Sequence, residues 1–413
     1  MATGTTAFNP LPRAGSARAE VEEQLRQMAA ADQGSLAGIR FGRRFFGSQE
    51  LSDIAAYAYG LFAQSTRSSL YPGLPGPASV ERMQRELIEH ALDLLHAPPG
   101  ATGVVTSGGT ESVILAVKAA VRRAERRGLT RAQMQIVAPD SAHPCIDKAA
   151  ELLNVRLVRV PTTSGRTADI AAMATVLSPG TVLLFGSFPC YAYGSVDDIQ
   201  ELGTLAASSD IPLHVDACMG GLLAPFAALN GEAIPRFDFS VQGVSSLSAD
   251  LHKHGYSAKG ASLLAFRSEG LGALTAFSYA DHPLPPMSTP TLAGTAPGAP
   301  IASAWAVMKY LGTNGYCDLT RRLFGARRAI VDAINSVPGF SVLGSPLFSI
   351  VVATSVMHDI PAVRARLARR NWFTLPVLRP PGIHFNVGAC DAVLAAELAR
   401  DLHHAVENKD EHP

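Results

Sequence analysis

The sequence predicts an α/β protein: a mainly parallel sheet in a large domain, followed by a small α+β C-terminal domain. Three observations carry this. Between residues 103 and 267 short apolar runs alternate with segments of helical periodicity, the pattern of a parallel sheet wrapped by helices. Residues 284–300, LPPMSTPTLAGTAPGAP, are dense in proline and glycine. Beyond them two helical segments, three short strands and a closing helix follow.

Taken in order, residues up to 16 are rich in Gly, Pro, Thr and Ala and read as a loose arm. The spacing of Val21, Leu25 and Met28 predicts a helix over 18–31. Ser-Gln-Glu at 48–50 opens a second over 51–62. Residues 65–79 are turn-rich, and Met83, Leu87, Ala91 and Leu94 then share one face of a helix over 80–95. Strands are expected at 103–106, 135–138, 155–160, 181–185, 212–215 and 262–266, with helices such as 111–126 and 197–208 between them. The C-terminal part predicts helices at 302–311 and 318–335, strands at 340–343, 348–353 and 383–387, and a last helix at 392–406. The expected division is 1–55 for the arm and first helix, 56–300 for the large domain and 301–413 for the small one. No internal repeat is evident.

Bulk properties narrow the class. The 413 residues are 47% hydrophobic and 17% charged, and 35 basic side chains balance 35 acidic ones. That is the profile of a globular protein, without the basic excess that nucleic acid or a membrane surface would attract. The five cysteines, 145, 190, 218, 317 and 390, form no CxxC pair; a disulfide framework and a metal site are not expected, and a reducing cytoplasm is. The N-terminus lacks a signal-peptide pattern. No uninterrupted apolar run reaches the roughly 18 residues of a membrane span.

Four features carry chemistry. In VVTSGGTES a strand runs through Ser107, Gly108, Gly109 and Thr110 into a helix. Glycines let backbone N–H groups approach an anion at the helix N-terminus, and Thr110 adds a hydroxyl; a glycine turn capping an ordinary helix would look the same. In PLHVDACMGG a buried strand ends on Asp216, where ligands of open parallel sheets bind, although a strand-end aspartate also caps turns. A carboxylate there would favour the protonated form of a pyridine nitrogen and make the ring a better electron sink. In SSLSADLHKHGYSAKGASLLAF, Lys253 follows His252 between a polar run and a strand. A buried lysine with a lowered pKa is a nucleophile towards an aldehyde; Lys259 is its internal rival. In APDSAHPCIDKAA, His143 follows a strand and offers a flat ring for stacking, though a lone loop histidine is more often structural. An anion cup, a pyridine partner and an aldehyde-reactive lysine together describe pyridoxal 5'-phosphate held as a Schiff base, with Lys253 preferred.

VTSGGTES, IVAPDSAHPCIDKAA, PLHVDACMGG, FDFSVQGVSSLSADLHKHGYSAKGASLLAF and PTLAGTAPG resemble the sphingosine-1-phosphate lyase branch of the pyridoxal-phosphate-dependent group II decarboxylases, from about Phe41 through IHFNVG to the last helix. The resemblance implies a fold-type I (aspartate aminotransferase-like) enzyme, a homodimer with its site near the subunit interface. By position it implies Lys253 as the Schiff-base lysine, Asp216 as the pyridinium partner and His143 stacked on the ring. It also implies Gly109, Thr110 and His252 on the phosphate, Thr295 reaching the phosphate of the other subunit, and Lys259 on the substrate side. Departures fall on the substrate side too. Ala296 stands where the family has an arginine, a usual Asn-Pro-Leu-His segment is replaced within residues 64–70, and Ala192-Tyr193-Gly194 replaces Pro-His-Gly. Losing an arginine and a histidine removes donors suited to a phosphate head group, so a substrate other than sphingosine 1-phosphate is expected.

The expected reaction is cleavage of Cα–Cβ in a β-hydroxy amine or amino acid, with Tyr193, Tyr191 or Lys259 moving the hydroxyl proton. The same residues would serve an amino-acid decarboxylase, in which Arg379 is the candidate to orient the carboxylate. A catalytically silent scaffold is the third reading; it would need neither Asp216, His252 nor Lys253.

Overall fold

The computed structural model describes residues 14–36, 38–41, 45–69, 71 and 75–407. Three helices come first: α1 (Arg18–Leu36), α2 (Gln49–Leu61) and α3 (Ala78–Leu94). The Ser48 hydroxyl accepts the Leu51 N–H and so starts α2. In α3, Val80, Met83, Leu87 and Ala91 are buried on one face, as their spacing requires.

The large sheet holds β1 (Thr102–Thr106), β2 (Gln135–Pro139), β3 (Arg156–Val160), β4 (Thr181–Ser187), β5 (Leu213–Asp216), β6 (Val244–Ala249) and β7 (Ser262–Phe266). Their order is β1-β7-β6-β5-β4-β2-β3. Only β7 runs against the rest, antiparallel to both β1 and β6. Helices α4 (Gly109–Glu125), α5 (Cys145–Leu153), α6 (Ile170–Thr175), α7 (Ile199–Ser208), α8 (Ala224–Leu229) and α9 (Glu269–Gly272) fill the connections. Covered on both faces, β2, β4 and β7 are buried at every position, which is why they read as continuous apolar runs.

Strand β6 is not among the strands expected above. Its segment, VSSLSA, looks polar because Ser246 and Ser248 project from one face towards His214 of β5. Two expected helices, 302–311 and 318–335, form one long element, α10 (Ala299–Asn335). Only Gly312 leaves helical geometry there, at φ 52° and ψ −173°, a positive φ that glycine adopts at little cost.

A hairpin of β8 (Phe277–Tyr279) and β9 (Met287–Thr289) precedes α10. An antiparallel sheet follows, ordered β10-β11-β13-β12: β10 (Phe340–Val342), β11 (Ile350–Ser355), β12 (Leu375–Leu378) and β13 (Pro381–Asn386). Strand β12 is not among those expected; it carries Pro376 and lies at the sheet's edge, where a strand tolerates the missing N–H. Helices α11 (Ile360–Arg369) and α12 (Ala395–Glu407) cover this sheet.

Each sheet has its own core. That of the large sheet gathers Leu87, Val105, Leu184, Leu213 and Leu263, with further clusters around Ile136 and Phe185 and around Val104 and Leu264; that of the small sheet gathers Trp372, Val351, Ile383, Phe385 and Leu402. Helix α10 belongs to both, giving Leu323 to the first and Ile330 to the second. Helix α1 forms as expected, but its stripe of Val21, Leu25 and Met28 is exposed rather than packed. Among the described residues no helix is long and apolar enough to cross a membrane, and no group of three or more His, Cys, Asp or Glu could hold a metal ion.

Gly203 of α7 lies against Gly243, just before β6, and a Cβ on Gly243 would overlap the Gly203 carbonyl oxygen. Both sides are backbone, so nothing flexible can yield. Gly243→Ala is expected to lower stability by about 1–3 kcal/mol, read as a fall in the urea midpoint at unchanged slope.

Candidate active site

The carboxyl ends of β4, β5 and β6 meet the glycine turn after β1 and the loop after β2 around one cavity of about 570 Å³. This is where an open parallel sheet presents residues to a ligand. Nine residues singled out from the sequence line it: Ser107, Gly108, Gly109, Thr110, His143, Tyr191, Asp216, His252 and Lys253.

The turn from β1 into α4 is held by Glu111. One of its carboxylate oxygens accepts the Ser107 N–H and hydroxyl, each at 2.7 Å, and the other accepts the Leu292 N–H at 2.8 Å. Helix α4 then begins at Gly109, and first-turn N–H groups have no carbonyl within a helix to bond. A Cβ on Gly109 would lie 2.5 Å from Cys218 Sγ and 3.0 Å from Asp250 Oδ1. Only glycine lets the turn lie this close to the cavity wall.

Asp216 ends β5. Its Oδ1 accepts the Cys218 N–H at 3.1 Å and the Ser248 hydroxyl at 3.4 Å. His143 sits across from Tyr191, ring centroids 6.1 Å apart, and its Nδ1 accepts the Cys145 N–H at 3.2 Å. Burial lowers the His143 pKa, Asp216 opposing the shift and Lys253 adding to it, so the ring is neutral at pH 7.

Lys253 follows β6, and its ammonium lies 2.9 Å from Asp250 Oδ2; the Asp250 side chain is 2% exposed. The sequence suggested a lysine of lowered pKa. The structure reverses that for the unliganded protein. Burial does pull the ammonium down, but the negative charges of Cys218, Asp250 and Asp216 and the Asp250 hydrogen bond outweigh it, and the net shift is upward. Because burial also holds the Cys218 thiol neutral, the two carboxylates account for the effect at neutral pH. His252 Nδ1 lies 2.7 Å from the Ala261 carbonyl, which only accepts, so Nδ1 carries the proton. Nε2, 3.7 Å from Asp250, can donate to an anion only when the ring is doubly protonated.

The other substrate-side candidates lie outside this lining. The Tyr193 hydroxyl donates to the Arg379 carbonyl at 2.6 Å, and Arg166 lies 5.8 Å over its ring. Arg379 meets Tyr193 through its backbone, and its side chain is exposed. Lys259 lines an adjoining cavity of about 180 Å³, 3.4 Å from the His252 carbonyl and 4.9 Å over the Phe45 ring. Thr295 is exposed in the single chain. Of the replaced segment, Leu70 lies outside the described residues, whereas Arg67 is buried and donates to the Val105 carbonyl and the Thr291 hydroxyl.

Several lining residues escaped the sequence reading. Asp250 and Glu111 had signals within reach, an acid three residues before Lys253 and one four residues after Ser107. Ser187, Phe45 and Asn386 had none, because only the fold brings them here.

The cavity suits pyridoxal phosphate on its own terms. A glycine turn opening a 17-residue helix fits a phosphate. An amine lies within the same space as a strand-end carboxylate and a neutral imidazole. Asp250 Oδ1 and the Ser187 hydroxyl are buried without a partner among the described residues, polar atoms that an apolar ligand would leave unpaired.

One antiparallel strand beside the edge of a parallel sheet, joined to a smaller antiparallel sheet, is the fold-type I arrangement. Glutamate decarboxylase from Lactobacillus brevis superposes with a TM-score of 0.82 over 98% of this chain and 96% of that one, at 17% identity. Residues 77–352 match the pyridoxal-dependent decarboxylase conserved domain. The chain belongs to the pyridoxal-dependent decarboxylase family, and its cofactor is pyridoxal phosphate.

It is similar to sphingosine-1-phosphate lyase 1 of Rattus norvegicus, 33% identical over 91% of this chain and 65% of that protein. The Arabidopsis thaliana sphingosine-1-phosphate lyase is 35% identical over 81% and 62%. The chain thus spans just under two thirds of the length of these relatives. The Burkholderia pseudomallei sphingosine-1-phosphate lyase structure matches with a TM-score of 0.91 at 31% identity, covering 98% of this chain and 94% of that one. A Methanocella arvoryzae protein named as a probable L-tyrosine/L-aspartate decarboxylase is 34% identical over 74% of this chain and 77% of its own.

Asn386 arrives from β13, and neither its amide oxygen nor its nitrogen has a partner among the described residues. An unpaired buried amide costs about 1–3 kcal/mol. Asn386→Leu, close in shape and apolar, is therefore expected to raise the stability of the unliganded protein by about 1 kcal/mol in urea denaturation; a fall would show that the amide is satisfied in solution.

Proposed function

We propose that the protein is a pyridoxal-phosphate-dependent carbon–carbon lyase. It cleaves the Cα–Cβ bond of a β-hydroxy amine or amino acid in the retro-aldol sense, on a substrate other than sphingosine 1-phosphate. The observation that carries this reading is the gathering of Lys253, Asp216, His143 and the glycine turn around one cavity, in a chain over 30% identical to proteins named sphingosine-1-phosphate lyase.

The bound cofactor supplies a conjugated cationic ring that accepts the electrons of the broken bond. The rest falls to the chain. Lys253 is the covalent anchor. It must first give up the proton that Asp250 and Asp216 stabilise, and Asp250, 2.9 Å away, is placed to take it. Asp216, with Oδ1 occupied by Cys218 and Ser248, keeps Oδ2 for the ring nitrogen and favours its protonated form. His143 offers its flat neutral face to the ring. Ser107, Gly108, Gly109 and Thr110 would hold the phosphate, and His252 would join them where the phosphate's charge offsets the burial that lowers its pKa.

As the aldehyde leaves, the substrate hydroxyl loses a proton. Tyr191 lines the cavity and is better placed for this than Tyr193, whose hydroxyl is given to the Arg379 carbonyl; Lys259 approaches from the adjoining cavity. Lys253 then returns a proton to Cα.

The assembly that fits is a homodimer. The exposed apolar stripe of α1 supports it, and exposed Thr295 would reach the phosphate in the other subunit's site. We assign residues 1–55 to an N-terminal arm and helix, 56–300 to a large cofactor-binding domain and 301–413 to a small domain. A cytoplasmic location fits five free cysteines.

Amino-acid decarboxylation is the second reading, favoured by the name of the Methanocella relative. Here Arg379 would have to turn its exposed side chain inward to orient a carboxylate.

Borohydride reduction of the cofactor-loaded protein is expected to fix the cofactor to the peptide carrying Lys253, and Lys253→Ala is expected to lose the adduct and at least about 1000-fold in turnover. Full turnover in that variant, or an adduct on Lys259, would overturn the assignment. A panel of β-hydroxy amines and amino acids should release aldehyde rather than carbon dioxide; the reverse establishes the decarboxylase, and a protein that takes up no cofactor establishes the scaffold.

A further inference from the structure

Behind Asp216 the large sheet carries a buried polar chain, of which the steps above use only the last link, Ser248. His214, one strand position pair behind Asp216 on β5, is fully buried. Its Nδ1 lies 2.8 Å from the Ser246 hydroxyl oxygen and its Nε2 3.3 Å from that of Ser248, both on neighbouring β6. Ser248 in turn lies 3.4 Å from Asp216 Oδ1, and the Cys218 thiol lies 3.4 Å from Ser248. The positions between, Val215 on β5 and Leu247 on β6, are buried and apolar. His214, Asp216, Ser246 and Ser248 thus form a polar row across two adjacent central strands, and the row ends at Asp216.

Burial lowers the His214 pKa to about 4, so the ring is neutral, with one donor and one acceptor. The carboxylate fixes which is which. Asp216 can only accept, so the single Ser248 hydroxyl hydrogen goes to Oδ1. The Ser248 oxygen then receives the His214 Nε2–H, and Nδ1 accepts from Ser246. One direction satisfies every group. Hydrogen bonds in such a chain polarise one another.

We propose that His214 and Ser248 are positioning residues: a relay running from Ser246 through His214 and Ser248 pins one oxygen of Asp216 and leaves the other for the cofactor's ring nitrogen. The inference rests on Asp216 being that nitrogen's partner. Sheet packing alone does not call for these side chains, since apolar residues of similar volume fill the positions around them and replacing a buried polar network by apolar groups is often neutral for stability. The other charged or titratable groups facing Asp216 are Lys253 and Asp250 after β6, His143 and Cys145 after β2, and Cys218 after β5.

The test uses holoenzyme loaded with pyridoxal phosphate carrying ¹⁵N in the ring, whose chemical shift reports whether that nitrogen is protonated. Ser248→Ala should move the loss of the ring proton about one pH unit lower, weaken cofactor binding about tenfold and reduce kcat at unchanged KM. Ser248→Thr, which keeps the hydroxyl, should restore all three, and His214→Phe should follow Ser248→Ala. His214→Gln, which retains a donor and an acceptor, reads the relay where the smaller variants fold poorly, and its shift should lie between those of wild type and His214→Phe. A wild-type ¹⁵N titration and cofactor affinity in Ser248→Ala would overturn the relay, as would Ser248→Thr behaving like Ser248→Ala. Wild-type protein that takes up no cofactor would overturn the cofactor role of Asp216 and the relay with it; normal uptake with an unmoved ¹⁵N signal sinks the relay alone.

Discussion

The ion pair between Lys253 and Asp250 organises the centre of this protein. Taking an ammonium and a carboxylate out of water costs several kcal/mol each, and only good geometry with further hydrogen bonding offsets it. Here Asp250 is almost wholly buried and one of its oxygens has no partner among the described residues, so the compensation is incomplete. A buried network with an open valence resists an apolar filling and stays ready for a polar guest. The same pair raises the Lys253 pKa, which makes the resting lysine a poor nucleophile. On the proposed assignment the cofactor would have to compete for that amine, and Asp250, 2.9 Å away, is placed to receive the proton.

The sheet supplies the precision this needs. Parallel pairing sets Ser187, Asp216 and Ser248 in register across β4, β5 and β6, so spacing between the site's side chains follows from strand geometry. The loops that follow have only to turn back over the same edge. Helix α10 gives side chains to both cores, and the second sheet brings Asn386 to the cavity as part of one packed body.

Much of this was legible from the sequence, for a physical reason. Strands covered on both faces are apolar along their length, so β2, β4 and β7 stood out. Strand-end chemistry is local, so Asp216, His143 and the pair His252–Lys253 could be found by what precedes them. Strand β6 was missed because serines that face the buried His214 stand on a central strand. The lysine's titration was read with the wrong sign because burial is inferable from sequence, whereas the distance to Asp250 is not. Tyr193 and Arg379 looked usable as residue types, and the fold joins them to each other instead.

Arg67 and Ala296 show how far residue type alone can mislead about specificity. The family pattern has an arginine where this chain has Ala296, and this chain has an arginine at 67, whose backbone N–H donates to the Ala296 carbonyl at 2.8 Å. The cation has not simply moved next door. The Arg67 guanidinium is buried against the Val105 carbonyl and the Thr291 hydroxyl, and burial lowers its pKa, so its donors are spent on bracing the strand that leads into the glycine turn. A guanidinium committed to backbone and hydroxyl acceptors inside the protein has fewer N–H groups left for a bidentate grip on a phosphate. The other cation lining the adjoining cavity is Lys259, a point charge without the planar fork. That is the physical ground for expecting a substrate whose distal group differs from the phosphate of sphingosine 1-phosphate.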